Sequence, residues 1–246
     1  MKLNSETIEQ LNQLLTVSSL VSIDNIIIED GIARGVNEDK TVVLISDQNI
    51  PSFGEGNKVG LSRLSMLATR LNLVKGKDGD VQVEVKTASN KDVTHLEISG
   101  SGAKVQYKCT ASNLIKAPKA VNVLPTWKID IPVEQLNLIQ NGANAMGSKK
   151  AILNRKGGKE VFIEFVDTNQ DAFTLQIADS ASFIGEEEMP NPVFIYYYPA
   201  KLLVSLLKAA SADNQKDITI IIGNVGTLQA VVSGHMLTVI PTMNND

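Results

Sequence analysis

Apolar positions between Val59 and Leu73, VGLSRLSMLATRLNL, recur at three- and four-residue spacing: Leu61, Leu64, Leu67, Ala68 and Leu71. That period is one face of an α-helix. Arg63 and Arg70 stand seven apart, so at about 100° per residue they return to nearly the same angle, off the apolar stripe. Pro199–Ala212, PAKLLVSLLKAASA, repeats the arrangement. Its stripe is Leu202, Leu203, Leu206, Leu207 and Ala210, with Lys201 and Lys208 again seven apart on the polar side. Pro199 falls in the first turn, where a helix tolerates proline.

The remaining pattern is mostly strand-like. After a short strand at Lys2–Leu3, Asn4 or Ser5 can cap a first helix striped by Ile8, Leu11 and Leu15. Strands are expected at Ile23–Glu29, Ile32–Asn37 and Thr41–Ser46, the first two joined by the hairpin signal Asp30-Gly31. The first leucine helix follows, then strands at Val81–Lys86, Thr94–Ser99 and Lys104–Cys109. Ala111–Thr126, with two prolines and no clear period, reads as a connector running over the surface.

Then the order restarts. Trp127–Ile131 is a strand, and Pro132 opens a helix striped by Leu136, Ile139, Ala143 and Met146. Strands follow at Ala151–Arg155, Val161–Val166 and Phe173–Ala178, then a loop at Ser180–Asn191 and a strand at Val193–Tyr198. The lysine-bearing helix comes next, and the strands Ile218–Ile222, Thr227–Val232 and Met236–Ile240 close the chain. EQLNQL at Glu9–Leu14 recurs as EQLNLI at Glu134–Ile139. The pattern predicts two copies of one α+β unit built on antiparallel hairpins, 1–110 and 127–246, joined by 111–126.

Composition narrows the chemistry. The 246 residues carry a net charge of −4, so any nucleic-acid surface must be local rather than global. With 43% hydrophobic but only 4% aromatic residues, the core is expected to be aliphatic. A single cysteine, Cys109, allows no intramolecular disulfide and reads as a buried thiol in a reducing compartment. No signal peptide and no membrane-length apolar run is visible, which predicts a soluble, cytoplasmic protein.

The opening MKLNSETIEQLNQLL, the doubled helix–hairpin unit, the connector and the ending LQAVVSGHMLTVIP together resemble the trimeric DNA sliding clamps of tailed bacteriophages. These are distantly similar to proliferating cell nuclear antigen. The resemblance implies an α+β DNA-clamp fold: a head-to-tail ring of three two-domain subunits, antiparallel sheets outside and helices lining the hole. It implies no catalysis and no cofactor. Implied partners are encircled duplex DNA, a replicative polymerase, an ATP-driven clamp loader and, as for some phage clamps, transcription proteins. The setting would be the cytoplasm of an infected bacterium.

On that reading Arg63, Arg70, Lys201 and Lys208 face the hole, with Lys75, Lys77, Lys149 and Lys150 near helix ends. The first helix of each half offers only Glu9, Asn12 and Gln13, or Asn137, Asn141 and Asn144, so the DNA role rests on the second helices. For any single one of these charges a solvated helix face is the simpler account. Clamps of this type take partner peptides beside the connector. Leu114, Ile115, Val123 and Leu124, with Val239, Ile240 and Pro241, are apolar enough to line such a groove or to pack the connector down. Subunit contacts are expected along Lys104–Thr110 and Phe173–Asp179, with Val105, Tyr107, Cys109, Thr174, Gln176 and Ala178 as interface residues.

Other chemistries find little support. His95 and His235 read as structural, and no His, Cys or carboxylate spacing makes a zinc site. GEGNKVG at Gly54–Gly60 lacks the ending of a phosphate loop. Glu186–Glu188 reads as a solvated acidic loop. Two rival classes stay open: a ring-forming phage tail or neck protein, and a small-molecule enzyme whose site assembles from distant residues.

Overall fold

The computed structural model describes residues 2–46, 50–75, 81–118, 123–185, 193–213 and 216–242; Lys77 and Glu186–Glu188 lie outside them. The chain divides into two compact units, Met1–Ala120 with Ser233–His235, and Val121–Val232 with Met236–Asp246. Each is α+β, with antiparallel sheets.

Unit one runs β1 (Lys2–Leu3), α1 (Ser5–Leu20), β2 (Asn25–Glu29), β3 (Ile32–Val36), β4 (Val42–Ser46), β5 (Lys58–Ser62), α2 (Leu64–Lys75), β6 (Val81–Thr87), β7 (Val93–Gly100) and β8 (Ala103–Lys108). Asn4 caps α1, its Oδ1 accepting from the Thr7 amide at 2.8 Å, an interaction worth about 1 kcal/mol. The strands order as β1-β6-β7-β8 and as β5-β2-β3-β4. Asp30 and Gly31 both take positive φ, 49° and 78°, as a two-residue hairpin turn of this twist requires. The two helices pack together, and Asn12 Nδ2 donates to Asn72 Oδ1 across them at 3.2 Å.

One expectation fails here. The leucine helix does not begin at Val59: Lys58–Ser62 is β5, paired antiparallel with β2, and α2 starts at Leu64. Arg63 sits between them at φ 53°, a left-handed conformation that ends one element before the next begins. Leu61 and Leu64 are buried on either side of the break, so the apolar stripe passes through it unbroken. Gly60 answers a close approach. A Cβ there would lie 2.1 Å from the Thr110 carbonyl oxygen, and the Thr110 amide donates to the Gly60 carbonyl at 2.9 Å.

Unit two runs β9 (Pro125–Pro132), α3 (Leu136–Met146), β10 (Lys150–Arg155), β11 (Val161–Val166), β12 (Ala172–Ala178), β13 (Ala181–Phe183), β14 (Phe194–Pro199), α4 (Ala200–Asp213), β15 (Asp217–Gly223), β16 (Leu228–Val232) and β17 (His235–Val239). Its strands order as β12-β11-β10-β14 and as β13-β9-β15-β16-β17. The 3-10 turn Val133–Gln135 delays α3 to Leu136, four residues after the expected start at Pro132. A short strand, β13, occupies part of the expected loop. Gly142 on α3 lets the helix lie against the Phe173 ring of β12, and Gly147 closes the helix in a left-handed cap at φ 56°.

Two strands stand at sheet edges. Among the described residues β8 pairs with β7 alone, and β12 with β11 alone. On β8 the exposed side chains are Lys104, Gln106 and Lys108; on β12 they include Thr174 and Gln176. Val105 is half-buried, whereas Tyr107, Cys109 and Ala178, expected at a subunit interface, are buried within their own units. Whatever they give an edge contact comes from backbone.

Candidate nucleic-acid interface

The cations of the second helices occupy two kinds of ground. On α4, burial of Leu203, Leu206, Leu207 and Ala210 turns the opposite face to solvent, and Lys201 and Lys208 stand exposed on it. On α2, Leu64, Leu67, Leu71 and Val74 are buried and Arg70 is half-buried. Arg63 is not on the helix face as expected. It is the exposed residue before α2, and its carbonyl accepts from the amides of Met66 and Leu67 at 2.9 and 3.2 Å.

That junction is held from beneath by Tyr107 of β8, which is 0% exposed. Its hydroxyl accepts from the Ser62 amide at 2.9 Å and donates to the Ser62 carbonyl. Burial pushes the phenol pKa up, so it stays a neutral donor. Both guanidinium carbons lie over the same ring, Arg63 at 5.7 Å and Arg70 at 5.9 Å from its centroid. Arg63 Nη2 also donates to the Lys108 carbonyl at 3.3 Å.

Several other cations are paired with carboxylates. Lys86 and Lys104 pair with Glu97, Lys58 and Arg34 with Glu29, Lys128 with Asp130 and Lys156 with Glu164. Among the described residues no carboxylate pairs with Arg63, Arg70, Lys201 or Lys208. Lys75 ends α2 half-buried. Lys149 is exposed beyond α3, and its carbonyl accepts from the Ala200 amide at 2.9 Å, tying the end of α3 to the start of α4. Lys150 opens β10, half-buried. The first helices show no exposed base: α1 presents Glu6 and Glu9, and α3 presents Asn137, Asn141 and Asn144.

The residues expected to line a partner groove scatter in burial. Leu114 is 75% and Leu124 66% exposed, and Val123, Ile240 and Pro241 are half-buried. Ile115 is buried, and Val239 at 0% exposure is core, so neither side chain offers groove surface. Leu124 is fixed by its carbonyl, which accepts from the Asn224 amide at 3.0 Å. Near it lies a cluster that the sequence pattern does not single out: Trp127 packs edge-on to Phe183 at 5.1 Å, and Arg155 lies 5.0 Å over the indole. Ile184, Ile195 and Val225 of the same unit are exposed. The lone tryptophan and the run Tyr196–Tyr198 are the signals that point to it.

Unit one holds an apolar-lined cavity of about 720 Å³ beside Arg63, Lys108, Cys109 and Leu114. Burial pushes the Cys109 thiol up to about 12, which makes it unreactive. Among the described residues no helix is long and apolar enough to cross a membrane, and no cluster of His, Cys, Asp and Glu is placed to hold a metal.

No protein-family model matches the chain. No curated protein sequence matches it either. Solved structures do. PCNA of A. fulgidus, bound to the C-terminal region of FEN-1, matches with a TM-score of 0.66 at 15% identity, over 100% of this chain and 98% of that one. The DNA polymerase III β subunit of Pseudomonas aeruginosa matches with a TM-score of 0.68 at 13% identity, over 99% of this chain and 66% of that one. A putative β subunit from Eubacterium rectale gives 0.66 at 12% identity, over 98% and 65%. The chain thus spans about two thirds of the bacterial subunits and nearly all of the A. fulgidus protein. The fold of this chain is that of the DNA sliding clamps.

Proposed function

We propose that the protein is a DNA sliding clamp: a ring that encircles duplex DNA and tethers a replicative polymerase to it, a scaffold rather than an enzyme. The observation that carries this is the division of cations. On strands Lys58, Lys86, Lys104 and Lys128 are paired with carboxylates, while among the described residues no carboxylate pairs with Arg63, Arg70, Lys201 or Lys208, in a chain of net charge −4, which leaves them for an outside anion. Phosphate contacts of this kind carry no base information, which suits a protein that slides.

The ring is a homotrimer of clamp domains 1–110 and 127–246, joined by the connector 111–126. It closes where β8 of one subunit pairs with β12 of the next. Both strands have an unpaired side among the described residues, and open edges of this length invite a partner. Charge favours the match: Lys108 is exposed on β8 with no carboxylate paired to it among the described residues, and Asp171 and Asp179 flank β12. Head-to-tail contacts of this type form a ring when the rotation closes. An ATP-driven loader opens it. Polymerase peptides dock beside the connector, at Leu124 and Ile240. The resemblance of MKLNSETIEQLNQLL to phage clamps suggests replication in an infected bacterium, with phage transcription proteins as further partners.

Retention tests this on circular DNA carrying the loaded protein. A clamp stays on the closed circle and slips off once the DNA is cut. A protein that stays equally on both, with its DNA ends unblocked, is held by affinity, and encirclement is wrong. A closed ring that stimulates no polymerase would instead point to a structural ring.

A further inference from the structure

The two pairs of cations are built differently. Among the described residues Lys201 and Lys208 have no aromatic ring beneath them, whereas Arg63 and Arg70 share one. We propose that Tyr107 is a positioning residue, which turns Arg63 and Arg70 into a single preorganised site for a backbone phosphodiester. This rests on the reading that these arginines meet DNA.

The geometry supports it from three sides. The Tyr107 ring has no freedom: it is fully buried and its hydroxyl is tied twice to the backbone of Ser62. Arg63 takes the strained left-handed conformation that turns the chain from β5 into α2, and so brings its side chain back over that ring. Arg70 reaches the same ring from within the helix. A guanidinium held over an aromatic ring has already surrendered part of the rotamer freedom that a solvated lysine loses only on binding. Two like charges beside one ring repel, and with no carboxylate pairing with either among the described residues, a bridging anion relieves both. Arg63 spends one donor on the Lys108 carbonyl, leaving the rest of its five for phosphate.

The test measures binding of a linear duplex of arbitrary sequence across a salt series. Replacing Arg63 and Arg70 by alanine should flatten the slope of log affinity against log salt by about 0.9, for the one phosphate the pair neutralises, whereas two independent contacts would flatten it by about 1.8. R63K/R70K keeps the charge but not the planar guanidinium, and should weaken low-salt binding by most of the alanine effect. Y107L should do the same, while Y107F, which keeps the ring, should retain the parent's slope. In the parent, the δ protons of both arginines should show the upfield NMR shift of a side chain over a ring.

If R63A/R70A leaves affinity and slope unchanged, these arginines do not meet DNA and the underlying reading fails. If R63A/R70A weakens binding while R63K/R70K and Y107L bind like the parent, the arginines meet DNA but Tyr107 positions nothing. Should Y107L not fold, the lysine variant and the arginine shifts decide; parent-like binding by that variant, or unshifted arginines, overturns the proposal.

Discussion

Replacing Gly142 by alanine sets two opposed effects against each other. In an unobstructed helix interior the change stabilises by about 0.8–1.0 kcal/mol. Gly142, however, is buried on α3, and a Cβ there would lie 2.3 Å from Phe173 Cε1 and 2.4 Å from Cδ1. The ring must withdraw by roughly an ångström to restore ordinary contact, and overpacking of this kind costs about 1–3 kcal/mol. G142A should therefore destabilise the protein by about 0–2 kcal/mol. In an F173A background the obstruction is gone and only the helical gain remains, so the same change should stabilise by about 1 kcal/mol. Urea unfolding of the four proteins of this cycle gives the coupling, expected at about 1–3 kcal/mol with a change of sign. Equal effects of G142A in both backgrounds would refute the packing argument, and with it the account of how α3 seats the β12 edge.

Other outcomes can be measured directly. Lys104 and Lys86 donate hydrogen bonds that hold the Glu97 carboxyl at about 2, below its ordinary 4.5. Its stabilisation is complete above about 4.5 and fades as pH falls toward about 2, so thermal midpoints of parent and E97Q should converge across that window. Alanine at Arg63, Arg70, Lys201 and Lys208 together should weaken loading and polymerase stimulation, most at low salt where screening is least; unchanged stimulation would mark them as solvated faces. Sedimentation equilibrium should give a mass near three chains, and a stable monomer at micromolar concentration and moderate salt would count against the ring. Leu124→Asp should abolish polymerase stimulation with the trimer intact; parent-like synthesis would move the partner surface elsewhere.

Most strands and all four long helices are legible in the sequence because each follows a period, two for half-buried strands and 3.6 for helices. The β5–α2 junction is not. Leu61 to Leu64 keeps helical spacing across a residue whose left-handed backbone leaves no trace in hydrophobicity. Periodicity therefore puts Arg63 on a helix face and hides the ring it shares with Arg70. That ring is Tyr107, 45 residues from its Ser62 partner and invisible to any local window. Val239 misleads for another cause. In β17 three successive residues, Leu237, Thr238 and Val239, are buried, so apolar character there reports core on both faces and not a surface groove. The lysines seven apart on α4 are exposed as their spacing predicts, since a continuous helix carries them.

The lysines of β8 also determine what a free chain avoids. An open antiparallel edge can pair with an identical edge on a second copy, across a twofold axis, as readily as with a different strand. If β8 did so about Gln106, each Lys104 would stand opposite a Lys108, twice over, and like charges facing across a ladder repel. Such a twofold dimer would use up on itself the edge that the proposed ring would pair with β12. For the proposed ring, the alternation Lys104, Gln106, Lys108 would then disfavour this self-pairing, by an amount that salt and the Lys104–Glu97 pair reduce.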